Sequence, residues 1–291
     1  MKETGRIALR AFAKINLTLE VLGERPDGYH ELRTVMHSIG LSDTVTVTVE
    51  PYSGPDRYIR VRASEPLPFR NTARRAAEAY FEAADRLCPE LTDGLAVSIE
   101  LQKGIPSEAG LGGASADGAA VLYAMEKLIG ALGTDKLYEI APAVGADVPF
   151  CLHGGTCRCE GVGEILTPFA LGRRLWFVIA KPNEGVSTRE LFSRLPLPRP
   201  RVQTMQAMAA LGKGDLNALA PLVKNVLEPA AIELVPEIGV LKQKLLDAGA
   251  LAAQMTGSGS AVFGLFESEE AANAALPAVS DAAFSTVCYS L

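Results

Sequence analysis

Between residues 7 and 21 an apolar side chain stands at every odd position: Ile7, Leu9, Ala11, Ala13, Ile15, Leu17, Leu19 and Val21. The even positions include Arg10, Lys14, Asn16, Thr18 and Glu20. Side chains of a strand alternate faces, so a period of two held this long predicts a long β-strand with one buried face. It also puts Lys14, Asn16 and Thr18 on the same face. The strand should end at Gly23, and Arg25-Pro26-Asp27-Gly28 reads as a turn.

Alternation returns at 44–49, with Val45, Val47 and Val49 inward, and shorter strand patterns follow at 59–62 and 96–101. Between them Asn71 can cap a helix over 71–87, with Ala73, Ala76, Ala77, Tyr80, Ala84 and Leu87 on one side. A glycine-rich loop at 104–113 leads into a helix over 114–132. A second helix over 135–144 stops at Gly145, with Pro149 just beyond. Strands are expected at 156–160 and 175–180, and Ser187-Thr188-Arg189-Glu190 is a capping box. Leu195-Pro196-Leu197-Pro198-Arg199-Pro200 reads as a rigid connection. Helices then dominate to Gly249, followed by a strand over 251–255, a loop, a strand over 261–266, a helix and a last strand near Thr286. Sequential strands mixed with helices give an α+β fold rather than regular βαβ alternation.

Length and composition narrow the function. The 291 residues suggest one large or two ordinary domains, and a 48% hydrophobic content supports a substantial core. With 28 Lys+Arg against 34 Asp+Glu, the net charge of −6 offers no basic footprint for nucleic acid or anionic lipid. The longest uncharged stretch, 248–266, is broken by glycines and polar residues and makes a poor membrane span. The charged start Met1-Lys2-Glu3 leaves no room for a leader, and five cysteines without disulfide density point to a reducing cytoplasm. Cys157 and Cys159 match no usual zinc spacing and read as two small strand residues.

Pro106-Ser107-Glu108-Ala109-Gly110-Leu111-Gly112-Gly113-Ala114-Ser115 lies between a strand and a helix. Its glycines let the backbone approach a ligand, and the helix start supplies N–H groups and a positive dipole end, together an anion site. No Gly-Lys-Ser/Thr follows, so it is not a Walker A loop. The dinucleotide register fails at Ser115, which removes a nicotinamide dehydrogenase. Thr256-Gly257-Ser258-Gly259 is a second small-residue loop, which gains meaning only if it folds against the first. Asp147, just past a helix end, and Lys14, inside a strand, are unremarkable singly.

In order along the chain, Ala11-Phe12-Ala13-Lys14-Ile15-Asn16-Leu17, Arg25-Pro26-Asp27-Gly28-Tyr29-His30, residues 106–117, Gly145-Ala146-Asp147-Val148-Pro149 and Thr256-Gly257-Ser258-Gly259 resemble the 4-diphosphocytidyl-2-C-methyl-D-erythritol kinases. These belong to the galactokinase, homoserine kinase, mevalonate kinase and phosphomevalonate kinase (GHMP) superfamily. The resemblance implies ATP-dependent phosphorylation of a 2-hydroxyl in the non-mevalonate isoprenoid pathway. It implies an N-terminal domain over 1–160, like domain 2 of ribosomal protein S5, and a ferredoxin-like C-terminal domain over 161–291, with the active site in the cleft between them.

The same resemblance implies roles for single residues. Asp147 takes or orients the proton of the attacking hydroxyl, with Lys14 beside it. Pro106, Ala109, Gly110, Leu111, Gly112, Gly113, Ala114 and Ser115 bind ATP, the stretch from Gly110 to Ser115 cradling its phosphates, and Asn71 and Lys103 approach the adenosine side. Asn16, Tyr29, His30 and Phe192 hold the cytidyl substrate. Magnesium accompanies the ATP, with no protein ligand named. Three positions depart from the pattern: Ala114 stands where Gly is frequent, Ala116 where Ser is, and Asn225-Val226-Leu227-Glu228 where the second residue is usually Asp. Another kinase of the superfamily, acting on homoserine or mevalonate, and a silent nucleotide-binding module are the alternatives. Tyr29, His30 and Asn16 speak against the first, the intact Lys14 and Asp147 against the second.

Overall fold

A computed structural model describes residues 4–26, 28–195 and 201–291. The charged start at Met1-Lys2-Glu3, Asp27 of the expected turn, and residues 196–200 of the proline-rich connection lie outside the described residues. Two compact units emerge, each discontinuous in sequence. The first takes residues up to Ala13, Leu41–Ile105 and Gly112–His153; the second takes Lys14–Gly40, Pro106–Leu111 and Gly154–Leu291. Two long strands, β1 (Gly5–Glu24) and β2 (His30–Pro51), contribute one half to each.

In the first unit β3 (Ile59–Ala63) pairs parallel with β4 (Leu95–Gln102), which pairs antiparallel with the second half of β2. Val45, Val47, Val49, Val97, Ile99 and Leu101 alternate to one face and are buried against α1 (Thr72–Leu87) and α3 (Gly113–Ile129). A single turn, α2 (Pro89–Thr92), follows α1, and α4 (Thr134–Val144) and α5 (Val148–His153) complete the unit. Asn71 caps α1 as expected, its Oδ1 accepting from Arg74 N at 3.0 Å. The alanine stripe with Tyr80 is buried, but Leu87 is not: it is the last helical residue, beyond the edge of the covering elements, and is 55% exposed.

In the second unit β5 (Thr156–Gly161) pairs antiparallel with both the first half of β2 and β6 (Ile165–Pro168). Cys157 and Cys159 are buried strand residues there. Next come β7 (Trp176–Lys181), α6 (Thr188–Ser193), α7 (Thr204–Lys213), α8 (Leu216–Leu219) and β8 (Lys224–Asn225). The chain ends with α9 (Glu228–Leu234), α10 (Glu237–Asp247), β9 (Ala252–Met255), β10 (Val262–Phe266), α11 (Glu269–Ala275) and β11 (Phe284–Tyr289). β11, β7, β10 and β9, in that order, form an antiparallel sheet, with Val178, Val262 and Met255 packed against Ile238, Leu241 and Leu245.

β1 departs from the expectation of one buried face. From Ala13 to Val21 both faces are buried, including Lys14, Asn16, Thr18 and Glu20 on the polar side. That side is covered by Thr256, whose hydroxyl accepts from Asn16 N at 3.0 Å, by Thr204, 3.4 Å from Thr18 Oγ1, and by Val202, whose N–H donates to Glu20 at 3.2 Å. β2 likewise begins fourteen residues before the expected 44, because residues 34–39 are buried on both sides and carry no alternation to read.

Candidate active site

Lys14 is 4% exposed. Its Nζ donates to Asn16 Oδ1 at 2.8 Å and to the Gly110 carbonyl at 3.0 Å, and its backbone N–H donates to the Leu111 carbonyl at 2.9 Å. Burying an ammonium is tolerable only with such acceptors around it. The Asn16 amide is oriented in turn: Nδ2 donates to Thr34 Oγ1 at 2.8 Å, and that hydroxyl donates to the Thr18 carbonyl. The period-two face of β1 therefore becomes a connected polar row.

The two glycine loops meet in this same unit. Ser260 N and Ala261 N donate to the carbonyls of Glu108 and Ala109 at 3.2 and 3.1 Å. Gly110, at φ +70°, approaches so closely that a Cβ there would lie 2.2 Å from the Thr256 carbonyl oxygen. Gly257, at φ +55°, abuts Lys14 Nζ and the Gly110 carbonyl; a Cβ there would sit 3.2 Å from the first and 2.9 Å from the second. No residue with a side chain fits either position. Ser258 stands further out, its hydroxyl 2.9 Å from that of Thr188, and Gly259 N closes the loop on the Thr256 carbonyl.

His30 and Phe192 also come together, with ring centroids 4.5 Å apart and planes inclined by 30°. The two rings cover each other's faces, so a base entering between them must part them. Tyr29, 64% exposed, precedes His30 and ends the Arg25 turn, its carbonyl accepting from Arg25 N.

Pro106 lies in the second unit with the rest of 106–111; the remaining expected site residues lie in the first. Gly112, at φ +73°, starts α3 and accepts from Ala116 N, so the N–H groups of Gly113, Ala114 and Ser115 form the first turn. No acidic residue occupies that turn to compete with an anion. Asp147 immediately precedes α5, its carbonyl accepting from Cys151 N at 3.0 Å. The loop that carries it passes the α3 start, since a Cβ at Gly145 would lie 3.7 Å from Ser115 Oγ. Asn71 is occupied as the α1 cap, with Nδ2 on the Pro68 carbonyl.

Lys103 is held between Asp43 and Asp117, its Nζ 2.6 Å from Asp117 Oδ2 and in contact with Asp43 Oδ2. Burial opposes its charge, but the two carboxylates prevail and raise its pKa above that of an ordinary lysine. Burial pushes Asp117 up to about 7 against the pull of Lys103. Asp43 Oδ1 also accepts from Gly104 N and Ile105 N at 2.6 and 2.8 Å. The cluster thus ties the end of β4, the start of the glycine loop and α3.

Comparison with known proteins settles the lineage. A family model for the GHMP kinases N terminal domain matches residues 71–155, and one for the GHMP kinases C terminal matches 207–285. The 4-diphosphocytidyl-2-C-methyl-D-erythritol kinase of Carboxydothermus hydrogenoformans is 43% identical over 259 residues, which is 88% of this chain and 86% of its own. The kinase of the same name from Desulfitobacterium hafniense is 41% identical, over 92% and 89%. A crystal structure of 4-(cytidine 5'-diphospho)-2C-methyl-D-erythritol kinase matches with a TM-score of 0.81 at 35% identity, over 98% of this chain and 99% of that one. The chain belongs to the 4-diphosphocytidyl-2-C-methyl-D-erythritol kinase family.

A homoserine kinase from Cytophaga hutchinsonii, at 23% identity and a TM-score of 0.72, shares the fold. Sequence reasoning did not single out five buried polar residues that bond to the expected site residues or to the strand leading into the second glycine loop: Thr34, Asp43, Asp117, Asn225 and Glu228. Thr34 and Asp43 lie where no periodicity or motif marks them. Asp117 was within the resemblance but had no reason to be singled out before its partner Lys103 was located. Asn225 and Glu228 were visible only as a motif with one unusual member.

Proposed function

We propose that this kinase transfers the γ-phosphoryl group of ATP to the 2-hydroxyl of 4-diphosphocytidyl-2-C-methyl-D-erythritol, giving the 2-phosphate and ADP. The observation that carries the reading is the junction in the second unit. There the buried Lys14 ammonium is fixed by Asn16 and by the Gly110 carbonyl of the first glycine loop, with the second glycine loop closed over it.

Phosphoryl transfer requires positioning and charge neutralisation more than covalent chemistry. Asp147 accepts the proton of the attacking hydroxyl, and Lys14 stabilises negative charge on the reacting oxygens. Gly110 to Ser115 receive the ATP phosphates on backbone N–H groups and on the positive end of α3, a helix of 17 residues, with Pro106 and Ala109 also on the ATP side. Asn71 and Lys103 lie on the adenosine side in this reading, the one holding the start of α1 and the other the entrance to the loop. Tyr29, His30 and Phe192 take the cytosine, and Asn16 faces the erythritol alcohol. Ala114 and Ala116 do not interrupt the first-turn N–H groups of α3, which belong to the backbone.

ATP chemistry implies magnesium. The described residues contain no group of three or more His, Cys, Asp or Glu able to hold a metal. Phosphate oxygens and water are the ordinary ligands of this ion. The domain reading of 1–160 and 161–291 is supported by the two family matches, which fall one within each range. No helix among the described residues is long and apolar enough to cross a membrane, and the reading places the enzyme in the cytoplasm with small-molecule substrates.

The test is ADP release with the cytidyl substrate present and absent. Release that depends on the cytidyl substrate supports the reading. Turnover with mevalonate or homoserine, and none with the cytidyl substrate, overturns it.

A further inference from the structure

The phosphoryl-transfer scheme makes no use of Asn225-Val226-Leu227-Glu228, although two of its members are buried polar residues, Asn225 at 4% and Glu228 at 6% exposure. We propose that Asn225 and Glu228 are positioning residues: they clamp the second glycine loop so that it holds Lys14 in its reactive orientation. The inference rests on the kinase reading above.

The clamp is built from side-chain bonds to one short piece of backbone. Asn225 Nδ2 donates to the carbonyls of Met255 and Gly257 at 2.9 and 2.8 Å. Its Oδ1 accepts from Leu227 N at 3.0 Å, which fixes the amide because a flip would put an N–H against an N–H. Glu228 Oε2 accepts from Met255 N at 2.8 Å and from Gln254 Nε2, while Oε1 is paired with Lys242. Met255 is therefore gripped at both its N–H and its carbonyl, one residue before the loop.

The far side of that loop faces the reacting lysine. Thr256 Oγ1 accepts from Asn16 N, and Gly257 packs against Lys14 Nζ and the Gly110 carbonyl. The motif is also tied to the strand that bears Lys14. Asn225 is the parallel partner of Leu19, and Val226 N donates to the Leu19 carbonyl at 3.1 Å. The motif thus bridges β1 and the loop that closes on β1. Val226, the unusual member, packs in the apolar cluster with Leu19 and Val21, where a carboxylate would be costly.

Asn225→Asp keeps the shape and replaces the donor by an oxygen facing two carbonyls. Its kcat for ADP release with the cytidyl substrate is expected to fall by roughly 10-fold to 10²-fold, the scale of a small displacement of a reacting group, with KM for both substrates nearly unchanged. In a Lys14→Met background the same substitution should lower the residual rate little further, because the group it positions is gone. A structural role alone lowers the urea midpoint and leaves kcat per folded molecule unchanged. If Asn225→Asp fails to fold, Glu228→Gln is measured instead, with the same kcat-selective loss expected. A wild-type kcat in the folded variant, or losses that multiply with Lys14→Met, overturns the clamp alone. A wild type that releases no ADP with the cytidyl substrate overturns the kinase reading and the clamp with it.

Discussion

Lys14 carries its charge inside the protein between two apolar strand neighbours, Ala13 and Ile15, and the acceptors that make this possible come from Asn16 and from Gly110, 96 residues away. A buried, paired charge of this kind adds little net stability, so its expected role is in the proposed chemistry. Replacing the expected proton acceptor, Asp147→Asn, should lower kcat by at least ~10²-fold while ATP binding measured by titration calorimetry stays near wild type. Gly110→Ala must strain a backbone at φ +70° and push aside the Thr256 carbonyl. A loss of more than about 1 kcal/mol in urea unfolding is expected, from the φ term alone. His37 gives a pH signature. Fully buried, with Nδ1 2.8 Å from Thr156 Oγ1, it has a pKa lowered by burial to about 4, against 6.5 in an unfolded chain. A depressed histidine binds its proton more readily unfolded, so its contribution is complete above pH 6.5 and is lost as the pH falls from 6.5 towards 4. The stability loss over that window, on the order of 3 kcal/mol at most, should flatten in His37→Gln when urea midpoints are followed from pH 7.5 to 4.5.

At the scale of elements, the Asp43–Lys103–Asp117 cluster joins the end of β4 and the glycine loop to the first turns of α3. Lys103→Met leaves two buried carboxylates without their cation, and a destabilisation of about 3–5 kcal/mol is expected in chemical denaturation. How far the elements could be read in advance followed from what covers them. The first half of β1 alternates with one face to solvent, and α1 carries a cap and a stripe; both were legible. The second half of β1 and residues 34–39 of β2 are covered on both faces, partly by polar side chains that bond to distant partners. Periodicity reports only a contrast between a wet and a dry face, so it gave the right strand in β1 with the wrong burial, and in β2 the start was lost. The glycine loops were legible as backbone that approaches something closely, because Gly110 and Gly257 hold conformations that side chains resist. That the something includes each other, and Lys14, depends on contacts 96 and 146 residues apart in sequence, which no local pattern encodes.

For the whole molecule the net charge of −6 and the proposed ligands, two nucleotides bearing several phosphates, set a condition on binding. Long-range attraction cannot gather these anions, so the proposed function draws its affinity from placed groups such as backbone N–H groups and single cations. The family matches at 71–155 and 207–285 and the 41–43% identity to kinases of one name place the chain among enzymes rather than silent binders. The measurement that bears most directly on this account is steady-state ADP release, with ³¹P NMR of the product, using wild type and Asp147→Asn. Release that requires the cytidyl substrate is expected, with a new phosphomonoester on its 2-oxygen and a loss of at least ~10²-fold in the variant. ADP release indifferent to the cytidyl substrate, or unchanged by Asp147→Asn, contradicts it.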